Sequence, residues 1–263
     1  MYKRQGGIDS LDSDYASAFN YKIQALFFKL CYWVADSCII VSQSDLKNIF
    51  KVSSLKKKLS YSEHVINTKL FIADVPKEKI FTSIVWMGDE GNVVRKGVDK
   101  ALQIFAELKK IPEFVDYRFV IIGRKGEGEV LVRSIIDKYN LKGSVELKGE
   151  VSEEDKINLL KQSKYYFQLS LYEGFGLAAL EALCANNIII HSGKGGLANP
   201  IYKEQLLFDI DNDFDSELLK LVNKLACFTP ITSYDNLLEY YDIQRRKDDF
   251  EAIIVNRKSN YKL

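Results

Sequence analysis

The sequence predicts an α/β fold with a doubly wound parallel sheet. From Phe81 onward, short runs rich in isoleucine, valine and phenylalanine alternate with segments of helical periodicity. Such alternation is typical of a parallel sheet that helices cover on both faces. The chain has 263 residues, of which 47% are hydrophobic and 28% are charged. This length and composition suit a globular protein with a full core and room for two domains.

The individual elements follow from apolar runs, caps and helix propensity. Strands are predicted at Ser83–Met87, Tyr117–Ile122, Val145–Leu147, Tyr165–Leu171 and Ile188–His191. Helices are predicted at Asp99–Lys110, Glu129–Tyr139, Ser152–Gln162 with Ser152 as the N-cap, Leu177–Leu183 and Glu217–Ala226. Two weaker helical patterns follow at Asp235–Tyr241 and Arg246–Val255.

The N-terminal part of the chain gives a less regular pattern. Residues 1–10 lack periodicity and are predicted to be a disordered end. Tyr15–Ala35 is predicted to be an amphipathic helix, and because Lys29 and Asp36 interrupt its most apolar window, it is not a membrane span. Packing on a domain is favoured for this aromatic helix, and peripheral contact with a membrane is the alternative. A strand at Ser37–Ser42 and a helix at Gln43–Phe50 are predicted next.

Charge and metal-binding residue types exclude several classes of protein. The net charge of +1 gives no basis for nucleic-acid binding. Four cysteines without a C-x-x-C pair, in apolar surroundings, predict buried thiols and a cytoplasmic location, or one at the inner face of the membrane. They are Cys31, Cys38, Cys184 and Cys227. His64 and His191 are far apart and have no cysteine nearby, so no metal site is predicted.

The stretch from Ser170 to Glu181, SLYEGFGLAALE, is the one around which the chain is organised. A strand enters a turn that contains Gly174 and Gly176, and the turn leads into a helix N-terminus. Glycines allow an anion to approach the free N–H groups of the first helical turn closely, and the helix dipole favours negative charge there. Glu173 and Glu181 bracket this turn, and each can accept hydrogen bonds from hydroxyl groups. A ligand with hydroxyls on both sides of a diphosphate fits this arrangement, which describes a nucleotide sugar.

The string EGFGLAALEAL resembles the E-x(7)-E donor motif of the retaining, metal-independent glycosyltransferases of family 4. These enzymes have two Rossmann-like domains in the GT-B arrangement, and the resemblance extends with gaps from about Ala35 to Phe228. It implies that Glu173 orients the transferred sugar in catalysis and that Glu181 binds the ribose. It also implies that the turn residues bind the donor diphosphate. These are Gly174, Phe175, Gly176 and Leu177. No cofactor is implied beyond the donor itself.

The family commonly has an arginine soon after the first glycine of the domain and a lysine before the second. Lys96 matches the lysine, and the resemblance gives it a catalytic role as a cation on the diphosphate. Asp89 stands at the arginine position, which reverses the charge. Arg95, next to Lys96, is a candidate replacement that would bind the donor. The alternative is that Arg95 and Lys96 are two exposed cations before a helix.

Three other loops follow strands of the predicted sheet. Gly123–Gly128 has the spacing G-x-x-G-x-G, so it does not match a dinucleotide fingerprint. Leu147–Val151 resembles the segment whose backbone reads the nucleotide base in family 4. Gly195 and Gly196 match a loop beside the phosphates. His191 is interpreted as an ordinary side chain at a strand end.

Domain organisation is predicted from the same resemblance. Residues 1–75 are a remnant of an N-terminal acceptor domain with the interdomain crossing, 76–229 form the donor-binding domain, and 230–263 form C-terminal helices. Because about forty residues cannot build a doubly wound domain, most of the N-terminal domain is expected to be absent. The chain is therefore expected to be a fragment or to depend on a partner subunit.

Three functions are compatible with the sequence. The first is a retaining glycosyltransferase that transfers sugar from a nucleoside-diphosphate donor to a hydroxyl acceptor in surface polysaccharide or glycolipid synthesis. The second is a non-catalytic module or partner subunit that binds a sugar nucleotide. The third is an unrelated Rossmann-like enzyme such as a dehydrogenase, which would bind NAD.

Overall fold

The computed structural model describes residues 26, 30, 31, 33–35, 37–41, 59–72, 75–228 and 235–260, except the side chains of 235–237 and 256–260. It divides into two compact units, residues 1–64 with 244–263, and residues 65–243. Residues 1–10, the predicted helix Gln43–Phe50 and most of Tyr15–Ala35 lie outside the described residues. The domain boundaries predicted after residues 75 and 229 stay a prediction.

The strands in chain order are β1 (Cys38–Ile40), β2 (Leu59–Tyr61), β3 (Glu78–Ile84), β4 (Arg118–Ile122), β5 (Val145–Gly149), β6 (Ser163–Gln168), β7 (Ile188–His191) and β8 (Leu206–Leu207). The helices from residue 90 onward are α1 (Glu90–Arg95), α2 (Val98–Leu108), α3 (Glu129–Lys138), α4 (Glu153–Gln162), α5 (Leu177–Cys184), α6 (Phe214–Cys227), α7 (Asp235–Tyr240) and α8 (Ile243–Asn260).

The larger unit is built on a parallel six-stranded sheet with the order β5-β4-β3-β6-β7-β8. Side chains alternate across it, as the pleat of a strand requires. Tyr165 and Phe167 of β6 face a core shared with α2, α3 and α6, whereas Tyr166 faces a core shared with α4 and α5. Helices therefore cover both faces, and the predicted doubly wound α/β fold is confirmed.

Aromatic packing fills the first of these cores. The ring of Phe81 in β3 stacks on Tyr165 and Phe167, with centroids 4.6 and 5.1 Å apart. Phe105 of α2 meets the same ring edge-on at 5.5 Å. Buried aromatic pairs contribute about 1 kcal/mol beyond the area they bury, so this group fixes β3 firmly against β6.

Lys77 lies directly before β3, at the amino ends of the strands, and holds the ends of two helices together. Its ammonium donates to the carbonyl oxygens of Lys161 at 2.8 Å and Ala185 at 2.5 Å, and lies 3.3 Å from that of Leu160. Leu160 and Lys161 belong to the last turn of α4, and Ala185 is the C-cap of α5. One cation therefore satisfies terminal carbonyls of both helices, where positive charge is favourable. Burial lowers the pKa of Lys77 to about 8.

The smaller unit contains the two-stranded parallel sheet of β1 and β2, with Cys38 opposite Leu59. Helix α8 is tied to it by the Ser62 hydroxyl, which donates to the Asp249 carboxylate at 2.7 Å. The predicted strand Ser37–Ser42 is observed as β1 only, and β2 was not predicted. No helix among the described residues has the length and hydropathy needed to cross a membrane.

Some predicted boundaries were wrong by several residues. Strand β3 spans Glu78–Ile84 and not the predicted Ser83–Met87. Its first two residues are polar and exposed, whereas the next four are buried in the middle of the sheet. Strand β6 ends at Gln168, where the chain turns away from the sheet, and not at Leu171. Helix α1 lies in a segment predicted as a loop.

The prediction of buried thiols was wrong for most cysteines. Cys184 in α5 is buried, whereas Cys31 and Cys227 are exposed and Cys38 is partly exposed. Cys227 lies in the last turn of α6, whose apolar face is formed by other residues. Apolar neighbours in sequence therefore do not place a helical cysteine inside the core, because burial follows the helix face.

Candidate functional site

The candidate site lies at the carboxyl edge of the larger sheet, around the turn that joins β6 to α5. The segment before α2 packs directly on this turn, since the backbone N–H of Leu171 donates to the carbonyl of Arg95 at 2.9 Å. Gly97 has a φ of 69°, and a Cβ there would lie 2.0 Å from the carbonyl oxygen of Leu169. Only glycine fits this contact. Lys96, between Arg95 and Gly97, is thereby held against the turn.

The loop after β7 packs on the other side of the same turn. The N–H of Gly196 donates to the carbonyl oxygen of Glu173 at 2.6 Å. Gly195 has a φ of 59°, and a Cβ there would lie 2.2 Å from the same oxygen. The structure therefore brings the predicted residues Gly195 and Gly196 against Glu173, through backbone contacts that a larger residue would prevent.

The carboxylate of Glu173 concentrates three hydrogen bonds on one oxygen. Its Oε1 accepts from Lys96 Nζ at 2.5 Å and from Gln168 Nε2 and Ser170 Oγ at 2.8 Å each. The side chains of Lys96 and Glu173 are 24% and 12% exposed, so their ion pair is largely shielded from water. Within the described chain, Oε2 makes no hydrogen bond and is left to accept one from a ligand.

A buried polar relay lies behind this carboxylate. The Tyr166 hydroxyl accepts from the backbone N–H of Ile84 and donates to Gln168 Oε1, both at 3.2 Å. The amide nitrogen of Gln168 then donates to Ser170 Oγ at 2.9 Å as well as to the carboxylate. Sequence reasoning missed Gln168 and the hydrogen bonds of Ser170, and the one signal for them was a pair of polar residues in a strand otherwise rich in aromatic and aliphatic residues.

Glu181 has a different environment in α5. Its Oε1 and Oε2 accept from Nζ of Lys156 in α4 at 3.0 and 2.9 Å, and Lys156 also pairs with Glu153 at 2.8 Å. Burial raises the pKa of Glu181, and the nearby ammonium opposes that shift. Tyr166 lies near both glutamates: burial raises its pKa first, and the charges of Glu181 and Glu173 raise it further. The tyrosine therefore remains a neutral donor.

The remaining turn residues contribute in different ways. Gly176 is the N-cap of α5, with a φ of 86°, whereas Gly174 has no positive φ and a Cβ there would meet nothing within 4 Å. The Phe175 side chain is buried and its ring centroid lies 6.2 Å from that of Tyr241, so its backbone alone can face a ligand. Leu177 begins α5. Their assignment to a diphosphate stays a prediction.

The charge reversal at Asp89 has a structural reason. Its Oδ1 accepts from the N–H of Asn92 at 2.6 Å, so Asp89 is the N-cap of α1. The Asn92 side-chain carbonyl in turn accepts from Arg95 Nη2 at 2.6 Å, and its amide donates to the carbonyl of Trp86. Arg95 is thus oriented by the helix that Asp89 caps. Its role on the donor stays a prediction.

His191 is the last residue of β7 and is 5% exposed. Its ring lies against that of Tyr202, with centroids 5.6 Å apart. Burial lowers the pKa of His191 to about 4, against a smaller opposing effect of the Tyr202 backbone. The imidazole is therefore neutral at pH 7. Among the described residues, no group of three histidine, cysteine or acidic side chains is placed to hold a metal ion.

A doubly wound parallel sheet with this glutamate-bracketed turn defines the class of the larger unit as the Rossmann-like C-terminal half of a GT-B fold. The chain belongs to the family of glycosyl transferases group 1, whose family model matches residues 91–225, just over half of the chain. This match confirms the resemblance found in the sequence.

Curated relatives carry glycosyltransferase names. A GDP-mannose:cellobiosyl-diphosphopolyprenol alpha-mannosyltransferase of Xanthomonas oryzae is 32% identical over 163 residues, which cover 54% of this chain and 40% of the relative. A phosphatidylinositol N-acetylglucosaminyltransferase of Arabidopsis thaliana, named as one subunit of that enzyme, is 25% identical over 215 residues, covering 80% of this chain and 46% of the relative. The chain spans less than half the length of either relative.

Solved structures share the fold. Sucrose-phosphate synthase of Thermosynechococcus elongatus superposes with a TM-score of 0.67 at 21% identity, covering 97% of this chain and 65% of that one. Anabaena HepE in complex with UDP and glucose gives a TM-score of 0.72 at 12% identity, with 95% and 70% covered. At these identities the similarity establishes the fold alone.

Proposed function

We propose that this chain provides the donor site of a retaining glycosyltransferase, which transfers a sugar from a nucleoside diphosphate to a hydroxyl acceptor. The observation that carries the proposal is the Lys96 ammonium, 2.5 Å from Glu173 at the start of the turn into α5. A cation and a helix N-terminus lie close to Glu173, and Glu181 follows within α5. Along the chain, a carboxylate that can accept from the hydroxyls of a sugar comes first, then a site suited to phosphate, then a carboxylate that can accept from the hydroxyls of a ribose. This is the order of the groups in a nucleotide sugar.

The chemistry proposed for these residues is electrostatic. The bond between the anomeric carbon and the diphosphate oxygen breaks, and its electron pair leaves with the diphosphate. The acceptor oxygen bonds to the same carbon, and its proton passes to the departing diphosphate. Lys96, Arg95 and the first N–H groups of α5 would stabilise the developing charge, as preorganised donors do in other transferases. Glu173 would orient the sugar and Glu181 the ribose.

The acceptor class is proposed from the relatives. The names of two of them contain a lipid-linked group, a diphosphopolyprenol and a phosphatidylinositol. A lipid-linked acceptor would place this chain in glycolipid or polysaccharide synthesis at the inner face of a membrane. Peripheral membrane contact through residues 15–35 stays a prediction.

A second candidate is a binding subunit without transfer activity of its own. It is favoured by the relatives that are named as subunits of a transferase. A second polypeptide that co-purifies with the chain and is required for transfer would favour this candidate.

Calorimetric titration of the 263-residue chain with UDP, GDP, UDP-glucose and NAD tests the proposal. Saturable binding of a nucleoside diphosphate is expected, and Lys96→Ala and Glu181→Ala should each weaken it about tenfold, because each removes a contact to a charged or hydroxyl group. Binding of NAD alone would contradict both candidates and favour a dehydrogenase.

A further inference from the structure

Three polar side chains follow one another at alternate positions toward the end of β6. Tyr166 and Gln168 therefore lie on one face of β6. Ser170 lies two residues beyond the end of the strand and joins them through its hydrogen bond to Gln168. The exposed fractions of the three residues are 0%, 5% and 0%. Buried polar groups are costly unless each finds a partner. Here they form a single relay that ends on the carboxylate of Glu173.

The direction of this relay is fixed by its last member. The carboxylate of Glu173 can only accept, so the amide of Gln168 turns its nitrogen toward it and its Oε1 toward Tyr166. The Tyr166 hydroxyl, which also accepts from the backbone N–H of Ile84, therefore donates its proton to Gln168 Oε1. Gln168 is thus a donor to the carboxylate, oriented by a buried hydroxyl that remains protonated.

Of the three donors on Glu173 Oε1, only Lys96 carries a charge. A donor diphosphate would compete for that ammonium, because an anion with several charged oxygens is a stronger partner than one carboxylate. Gln168 and Ser170 are neutral, buried and out of such competition. They can keep the carboxylate in place when the lysine turns to the phosphates.

We propose that Gln168 is a positioning residue, which holds Glu173 with its Oε2 available to a hydroxyl of the transferred sugar. This inference rests on the proposed donor site. It predicts a separation of effects: Gln168 acts through the sugar part of the donor and not through the nucleotide.

The experiment compares dissociation constants for UDP and GDP with those for UDP-glucose, UDP-N-acetylglucosamine and GDP-mannose. The ratio of the two constants for one nucleotide gives the gain in affinity due to the sugar. In Gln168→Leu this gain is expected to fall about tenfold, because a hydrogen bond to a charged group is lost. The affinity for UDP or GDP alone is expected to stay within about twofold.

Two further variants guard against misfolding of Gln168→Leu. Ser170→Ala removes one oxygen, and Tyr166→Phe removes only the hydroxyl that orients the amide. Each should lower the sugar-dependent gain about threefold. Gln205→Leu is the matched control, since Gln205, just before β8, is also a buried glutamine, 6% exposed, whose Oε1 accepts from the N–H of Ile189 in β7 at 2.9 Å. It should leave the gain unchanged.

Several results would overturn the inference. The positioning role alone would be refuted if Gln168→Leu lost affinity equally for nucleoside diphosphates and for nucleoside-diphosphate sugars. It would also be refuted if Gln168→Leu lost no more affinity than Gln205→Leu. The same conclusion would follow if the unsubstituted chain bound UDP or GDP and none of the three sugar nucleotides bound more tightly than its nucleoside diphosphate. Absence of nucleoside-diphosphate binding by the unsubstituted chain would instead refute the proposed function, and the positioning role with it.

Discussion

The two glutamates of the motif are held in opposite ways. One oxygen of Glu173 accepts from three donors: a lysine 77 residues away in sequence, and an amide and a hydroxyl from the segment directly before it. Glu181 instead uses both oxygens on one ammonium, that of Lys156. Their side chains are similarly buried, 12% and 17% exposed. Burial is therefore not what distinguishes them.

The two glutamates differ in how many hydrogen-bond donors remain after their lysine is lost. If Lys96 is withdrawn, Glu173 keeps two neutral donors and remains solvated by the protein. If Lys156 is withdrawn, Glu181 keeps no donor among the described residues and becomes an uncompensated, largely buried charge. Glu173, whose lysine is proposed to bind the donor diphosphate, thus has other hydrogen-bond donors. Glu181, whose lysine is not proposed to bind a ligand, has none among the described residues.

The largest expected effect tests this directly. Lys156→Met should lower the free energy of unfolding by about 3 kcal/mol at pH 7, because it leaves Glu181 charged and unpaired. Urea unfolding followed by circular dichroism measures it. Lys96→Met is the matched control and should lower the free energy of unfolding by about 1 kcal/mol, since Gln168 and Ser170 remain. Equal losses in the two variants would contradict the comparison.

The next effect concerns His191, an ionisable group at the same edge that is buried and neutral. Its folded pKa of about 4 is below its ordinary 6.5, so the unfolded chain takes up a proton first as pH falls. The free energy of unfolding should therefore decrease by about 2 kcal/mol between pH 7 and pH 5. Glu181, with its raised pKa, should shift stability in the other direction as pH falls.

Unfolding curves at pH 7, 6 and 5 for the chain and for His191→Leu check this expectation. In His191→Leu the free energy of unfolding should fall much less between pH 7 and pH 5, because leucine binds no proton in the folded or the unfolded state. The same decrease in both chains would mean that another group titrates in this range.

The smallest effect concerns a third carboxylate, Asp89. Asp89→Asn keeps an N-cap and should change the free energy of unfolding by less than about 0.5 kcal/mol. Removing its charge near Arg95 should raise affinity for UDP or GDP about twofold, because exposed charges are strongly screened. Glu113→Gln, at the opposite edge of the sheet, is the control in calorimetry. Weaker binding by Asp89→Asn would oppose a phosphate near Arg95.

The fold was predictable because it depends on periodicity. Strand β7, Ile188–His191, matched its prediction, since an isoleucine run between polar residues fits only a buried strand. Helix α1 was missed because Gly91, Val93 and Val94 disfavour a helix, and the one local signal was the cap at Asp89. Strand β2 has three residues, too few to show alternation.

The site was predictable in its residue types but not in its pairings. Lys96 and Glu173 were found from their motifs, yet they are 77 residues apart in sequence, and no local pattern pairs them. Lys156 follows Glu153, Glu154 and Asp155, which is typical of a solvated helix face. Its contact with Glu181 depends on how α4 packs on α5. Partners of this kind come from tertiary packing, which one sequence does not encode locally.

Lys77, at the amino ends of the strands, links the local opening of α4 to that of α5. Because Lys77 holds the terminal carbonyls of both α4 and α5, neither helix can fray without releasing the same ammonium. The two helices are therefore expected to open as one cooperative unit, with matching free energies in native-state hydrogen exchange. Lys156 and Glu181 lie on these two helices. Opening of this unit is therefore expected to separate Lys156 from Glu181 in the same step.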